Sequence, residues 1–234
     1  MLHARDFFAL DQTAHAALFD DTTYVWQALP RIGDYIRWLL DTTHPANGHT
    51  IALHPSCYIG ENVHIGAGAQ IAPGSYIEGP TIIGQNVQVR HGAYVRANTL
   101  AADGAIIGHA TETKNAVLLE GAAAPHFSYV GDSILGARVN LGAGTKLSNF
   151  PMTVHSLNQT ISLTINGESY DTGLTKFGAI LGDDVDLGCN CVTNPGVLVG
   201  ARTMVYTLTM LAKGYYPPDR VIKLRQTLEV ADRY

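Results

Sequence analysis

The chain has 234 residues, 46% hydrophobic and 15% charged, with a formal net charge of −5; this supports one large folded domain with a small extension and excludes a disordered chain. With that acidic balance and no basic run, nucleic acid and anionic membrane surfaces are not expected as partners, and no apolar run approaches the ~20 residues of a membrane helix. Cys57, Cys189 and Cys191 are too sparse for a disulfide framework or a zinc site, so free thiols and, with no leader segment in view, a cytoplasmic location are expected.

Residues 1–50 hold two stretches with helical spacing: Val25, Trp26 and Leu29, then Ile32, Ile36, Leu39 and Leu40. Pro30 suits the first turn of the second helix. This helical arm is expected to cap one end of the repetitive region after it or to pack on a neighbouring subunit.

From Leu53 the chain counts in sixes: LHPSCY, IGENVH, IGAGAQ, IAPGSY, IEGPTI, IGQNVQ, VRHGAY, VRANTL. The first place is aliphatic each time and the fifth is small or β-branched. A period of six is neither helical nor a simple strand alternation. It requires a short strand, a corner and repetition, and three such sides close a triangular coil of about eighteen residues stacked at ~4.8 Å. First-place residues point inward, and fifth-place residues stay small near the corners. The regularity of the count disfavours a β-sandwich. An all-β parallel helix spanning 51–214 is therefore expected.

The step is lost across PHFSYVGD, residues 125–132, then returns as LGARVN and LGAGTK. Residues 150–178 lack hexads, and TISLTINGESYDTG within them alternates around Asn166-Gly167, a two-residue turn signal. A hairpin loop thrust out from the coil is expected here. Hexads resume at Leu181 and run to Leu211. Residues 215–234 are expected to form an extended tail and then a short helix.

The hexads resemble those of the hexapeptide-repeat transferases, and this resemblance implies a left-handed β-helix. Across residues 55–212, HFSYVGD, RVNLGAGT and KFGAILGDD are similar, in the same order, to the acetyltransferase domain of the bifunctional enzymes that make UDP-N-acetylglucosamine. The resemblance implies transfer of an acetyl or related acyl group from coenzyme A, with acetyl-CoA as co-substrate, to the amine of an amino-sugar phosphate such as glucosamine-1-phosphate. It also implies a homotrimer with sites between subunits. It places His126 as the catalytic base and Asn149 near the reacting centre. Arg96, Lys114, Tyr129, Asn140 and Lys176 fall on substrate-binding positions, and Ala143, Cys189 and Tyr206 on the donor path. Metal is not expected.

Chemistry alone favours several of these residues. An amine arrives protonated at neutral pH, and an imidazole can take that proton. Residues 52–178 hold six Lys or Arg, and three of them, Arg96, Lys114 and Lys176, fall on the phosphate-binding positions. That suits a small dianion held by a few cations. Glu112 could orient a histidine or help to bind the amine.

The donor side departs from the resemblance. Cys189 stands for a serine, Phe150 for a tyrosine, and Pro151 and Met152 for an acidic residue and a glycine. With a one-residue gap near Pro195, Tyr206 replaces a small residue and would narrow the coenzyme A channel. A non-catalytic sugar-phosphate-binding trimer is the alternative. A metal hydrolyase of the γ-carbonic-anhydrase type would recruit His64, His91, His109 and His126, but that family's ligand motif is not found. The residues before the coils offer no glycine-rich nucleotide loop, so uridylyl transfer is not expected of this chain.

Overall fold

Tyr58 pairs in parallel with Tyr76, Tyr76 with Tyr94, and Tyr94 with Glu112, each eighteen residues on. Gln70, Gln88 and Ile106 repeat that step on a second face, and Val63, Thr81 and Thr99 on a third. The three faces stack into a left-handed parallel β-helix. The computed structural model describes residues 2–46, 53–151, 159–225 and 231–233. Inside the prism, first-place Ile65, Ile77, Ile83, Val89, Val95 and Ile107 and fifth-place Val63, Ala69, Val87 and Ala93 form one apolar column.

The break in the count is a shortening. Glu112 pairs with Tyr129 and Tyr129 with Lys146, each only seventeen residues on. The lost residue comes from the corner between the tyrosine face and the third face. There Thr113 and Leu118, and again Val130 and Leu135, are inward residues five apart rather than six. Asn115 and Asp132 turn these short corners with φ of 46° and 47°, a left-handed conformation that Asn and Asp tolerate better than most residues. At the same corner one coil on, the chain leaves the solenoid after Asn149 and returns at Phe177, whose N–H donates to the Asn149 carbonyl at 3.0 Å.

The inserted hairpin pairs Ser162–Ile165 with Glu168–Asp171 around Asn166-Gly167, where both turn residues have positive φ, as expected of that dipeptide. It is not thrust outward. Ile161, Leu163 and Ile165 are buried in the second apolar cluster, beside the arm.

The arm follows a different course from the one expected. Its α-helix, Ile32–Thr42, and the 3-10 helix before it, Val25–Arg31, lie along the flank of their own solenoid. Pro30 falls in the last turn of the 3-10 helix, not in the α-helix. The reason is the third face: its outward residues Ile82, Leu100, Val117, Ile134, Ile180 and Leu198 are apolar and need cover. Polar clasps fix the register. Glu120 accepts from the Thr13 hydroxyl and the Ala14 N–H, each at 3.0 Å, and Asp183 accepts from the Ala9 N–H at 2.8 Å.

The solenoid also continues past residue 214. Gly214–Tyr216 pairs with Val197–Val199, and Val221–Ile222 with Met204–Val205. Tyr216 and Ile222 pack on the inner column, so the start of the expected tail forms further rungs. The expected terminal helix falls partly on residues 226–230, outside the described residues.

Arm docking carries a pH dependence. His15 is buried beside the Tyr35 hydroxyl, and burial pulls its imidazole below the ordinary range against the opposing pull of Glu120 and Asp103. His44 is lowered likewise, by burial and then by His64. The unfolded chain protonates near pH 6.5 and the folded chain resists, so this stability is complete above ~6.5 and is lost as the pH falls toward the lowered folded values. The melting temperature is expected to drop between pH 7 and 5, with a shallower drop in His15→Gln. Parallel slopes in the two proteins would contradict this.

Candidate functional site

The short corner gathers the polar chemistry. Asp132, 6% exposed, accepts from the Asn115 amide at 3.0 Å on Oδ1. On Oδ2 it accepts from the Asn149 amide at 2.5 Å and from the Lys114 ammonium at 3.4 Å. One coil earlier, Arg96 donates to Glu112 at 3.0 Å, its guanidinium 5.8 Å from the Tyr94 ring. Tyr129 lies between, its hydroxyl beside the Asn149 amide over Gly131. Burial raises its phenol pKa, and the charges of Glu112 and Asp132 add to the rise.

Glycine at position 131 makes this packing possible. A Cβ there would sit 2.5 Å from the Tyr129 hydroxyl and 2.9 Å from the Asn149 amide. The returning insertion is stitched to the same corner, with the Gly178 N–H donating to the Asp132 carbonyl at 2.8 Å. Lys176, two residues before, is exposed and has no partner among the described residues.

Arg96, Lys114, Tyr129 and Asn149 are thus brought together, with the Lys176 backbone alongside. The other candidates lie elsewhere. His126 is exposed at the opposite edge of the tyrosine face, where the second face turns into it. It is in register with His109 on the coil before. Ala143 and Cys189 occupy the same corner on later coils, shown by the Gly144 N–H donating to the His126 carbonyl and the Asn190 N–H to the Ala143 carbonyl. Asn140 is exposed on the second face, in register with Asp186. Tyr206, 44% exposed, follows Gly142 and Gly188 in their row.

From His126 to Gly131, the residue level with Lys114, is up to ~16 Å of extended chain. Within one chain, the imidazole and the cation cluster therefore stand at opposite edges of one face.

The histidine corner has its own order. His91 Nδ1 lies 2.6 Å from the Pro73 carbonyl, and His109 Nδ1 lies 2.9 Å from the His91 carbonyl. A carbonyl only accepts, so Nδ1 carries the proton in both rings and Nε2 is left bare when they are neutral. The two rings stack with centroids 5.6 Å apart. Among the described residues no three His, Cys, Asp or Glu side chains gather as metal ligands. Nor, among those residues, is any helix long and apolar enough to cross a membrane.

Sequence reasoning missed Asp132, the hub of the cluster. Its signal was the five-residue step from Val130 to Leu135, which leaves a left-handed corner for a small polar residue. Glu112 was noticed for a different role; it neutralises Arg96.

Comparison with known proteins places this geometry among relatives. Residues 77–204 match the family model described as the GMPPB C-terminal domain. A bifunctional sugar-1-phosphate nucleotidylyltransferase/acetyltransferase from Sulfurisphaera tokodaii is 37% identical over 100 residues, 43% of this chain and 24% of that protein. The bifunctional protein GlmU of Azotobacter vinelandii is 39% identical over 147 residues, 63% of this chain and 27% of that protein. The chain thus spans about a quarter of the length of these curated relatives. A solved UDP-N-acetylglucosamine acyltransferase from Francisella novicida aligns with a TM-score of 0.45 at 14% identity, covering 70% of this chain and 62% of that one. The resemblance to hexapeptide acyltransferases inferred from the sequence agrees with these relatives.

Proposed function

The chain belongs to the family of the GMPPB C-terminal domain, and from that premise we propose that it transfers an acyl group from coenzyme A to the amine of an amino-sugar phosphate. The observation that carries this reading is the short-corner cluster. The Lys114 ammonium and the Asn149 amide gather on the buried Asp132 carboxylate beside the Tyr129 phenol, and Arg96 stands next to them, paired with Glu112, so that an incoming phosphate would share both cations with these carboxylates. Such a group can hold a phosphorylated sugar by charge and orient its hydroxyls. The name of the Sulfurisphaera tokodaii relative adds support, since it pairs a sugar phosphate with acetyl transfer.

In the proposed reaction Arg96, Lys114 and Lys176 take the phosphate and Tyr129 and Asn149 the sugar, with Asn140, on the second face, reaching it from the copy that brings His126. A general base must come within ~3 Å of the proton that it removes. In this reading an acceptor seated on Lys114 of one chain meets the His126 imidazole of another copy, across a subunit seam in a homotrimer. The imidazole takes the ammonium proton, and the free amine attacks the thioester carbonyl. The imidazolium passes that first proton to solvent. The imidazole then takes the second nitrogen proton from the tetrahedral intermediate, which collapses to the amide with loss of coenzyme A thiolate. The thiolate takes this second proton from the imidazolium. Ala143 and Cys189, on the histidine corner, would lie along the donor with Tyr206.

The test is kinetic. Purified protein, acetyl-CoA and glucosamine-1-phosphate are mixed and thiol release is followed, with related hexosamine phosphates in parallel. No release above blank with any of them rejects the reading.

A second reading, sugar-phosphate binding without transfer, is favoured by Tyr206. Its ring follows Gly142 and Gly188 in their row, and Lys223, the next place in that row, closes over it at 5.2 Å. Calorimetry showing glucosamine-1-phosphate binding with no coenzyme A binding would select this reading.

A further inference from the structure

We propose that the cavity between the inserted hairpin and the last coils is a binding site for a nucleoside diphosphate group. The cavity measures about 600 Å³, within the ~300–1,000 Å³ of small-molecule sites. Ser148 and Phe150 form one wall, Gln159 and Ile161 of the insertion a second, and Asn194 and Lys213 the floor on later coils. The insertion wall is fixed. The Ile161 N–H donates to the Leu174 carbonyl at 2.7 Å, the Thr172 hydroxyl donates to the Ile161 carbonyl at 2.6 Å, and the Ile161 side chain is buried.

The lining has unspent bonding capacity. Among the described residues, the Lys213 ammonium, the Gln159 amide and the Ser148 hydroxyl have no hydrogen-bond or ion-pair partner. Among those residues the Asn194 amide reaches only the Met210 sulfur, at 3.5 Å. Phe150 is 46% exposed and stacks on no other ring among those residues. Arg96 and Lys114, by contrast, already hold carboxylates at 3.0 and 3.4 Å. An alkyl chain here would bury these polar groups unpaired, at a cost in free energy. An aromatic base on Phe150, hydroxyls on the amides and a diphosphate on Lys213 would satisfy them.

The cavity adjoins the cation cluster, since Ser148 and Phe150 flank Asn149, whose amide lies on Asp132. Two sources present a nucleoside diphosphate in the proposed reaction: the nucleotide end of coenzyme A, and an acceptor sugar carried on a nucleotide. The choice between them rests on the acyl-transfer reading; the site itself does not.

Calorimetry of the intact chain with uridine diphosphate, with coenzyme A and with glucosamine-1-phosphate tests the proposal. Saturable binding of at least one nucleotide is expected, weakened about tenfold or more by Lys213→Ala and by Phe150→Ala. Phe150→Tyr should retain it, and glucosamine-1-phosphate binding should be unchanged in all three variants. Preference for uridine diphosphate assigns the acceptor, and preference for coenzyme A the donor. No saturable binding of either at millimolar concentration, or wild-type affinity in both alanine variants, overturns the site. Nucleotide binding without thiol release would leave this site standing and reject the transfer reading. Glucosamine-1-phosphate binding without nucleotide binding would do the reverse.

Discussion

Replacing His126 with alanine is expected to slow acyl transfer by ~10²-fold or more at neutral pH. The protein itself should barely notice the change. The ring is exposed, and the backbone carbonyl that accepts from the Gly144 N–H and the Ser128 hydroxyl is kept by alanine. Surface substitutions of this kind stay within about ±0.5 kcal/mol, so lost rate cannot be lost fold. The defect should shrink as the pH is raised, because the amine then sheds its proton to solvent and the base is less needed. Co-expressing His126→Ala with Lys114→Ala chains adds a geometric test: if the site joins two copies, mixed assemblies regain activity that neither variant has alone. An alanine variant within threefold of wild type would remove His126 from the chemistry. Absence of complementation would place both residues in one chain's site and reject the shared seam.

The fold was legible because the inward columns follow backbone geometry. First- and fifth-place residues must enter the prism, and nearly all are buried where the count of six assigns them. The Asn166-Gly167 hairpin was legible for a similar reason, since both residues must take positive φ. The arm's course was missed because the reading stopped at the first and fifth places. From Ile82 on, the sixth-place residues of the third face, Ile82, Leu100 and Leu198, are apolar and face outward. That stripe marks the face an amphipathic arm must cover.

The candidate site was only partly legible. Arg96, Lys114, Tyr129 and Asn149 came from a resemblance, and no local rule would have put them at one corner. What gathers them is the loss of one residue in each of two successive coils. The loss is visible in the sequence as a step of five, but its consequence is three-dimensional. Asp132 became central because the shortened corner turns it, with Asn115, toward Lys114 and Asn149. The step of five marks where that corner falls, and not which side chains meet there.

Trp26→Ala is expected to destabilise the chain by ~3–5 kcal/mol. The indole is 1% exposed. It stacks on Tyr24 at 4.7 Å with 10° between the planes and meets the Tyr170 ring of the inserted hairpin edge-on at 6.2 Å. It belongs to the cluster in which arm, hairpin and the outward stripe of the third face share one core. Removing it opens a cavity that three separate segments would have to close together, and solenoid rungs hydrogen-bonded above and below cannot shift to fill it. The loss should reach the short corner, because the Leu29 carbonyl, three residues on, lies 3.4 Å from the Asn115 amide that holds Asp132. Urea unfolding followed by both tryptophan fluorescence and far-ultraviolet circular dichroism measures the effect. Coincident transitions at lower denaturant would show arm and solenoid unfolding as one unit. A change below about 1 kcal/mol would mean that the arm contributes little to the solenoid, and its apolar stripe would then have to be stable in water without cover.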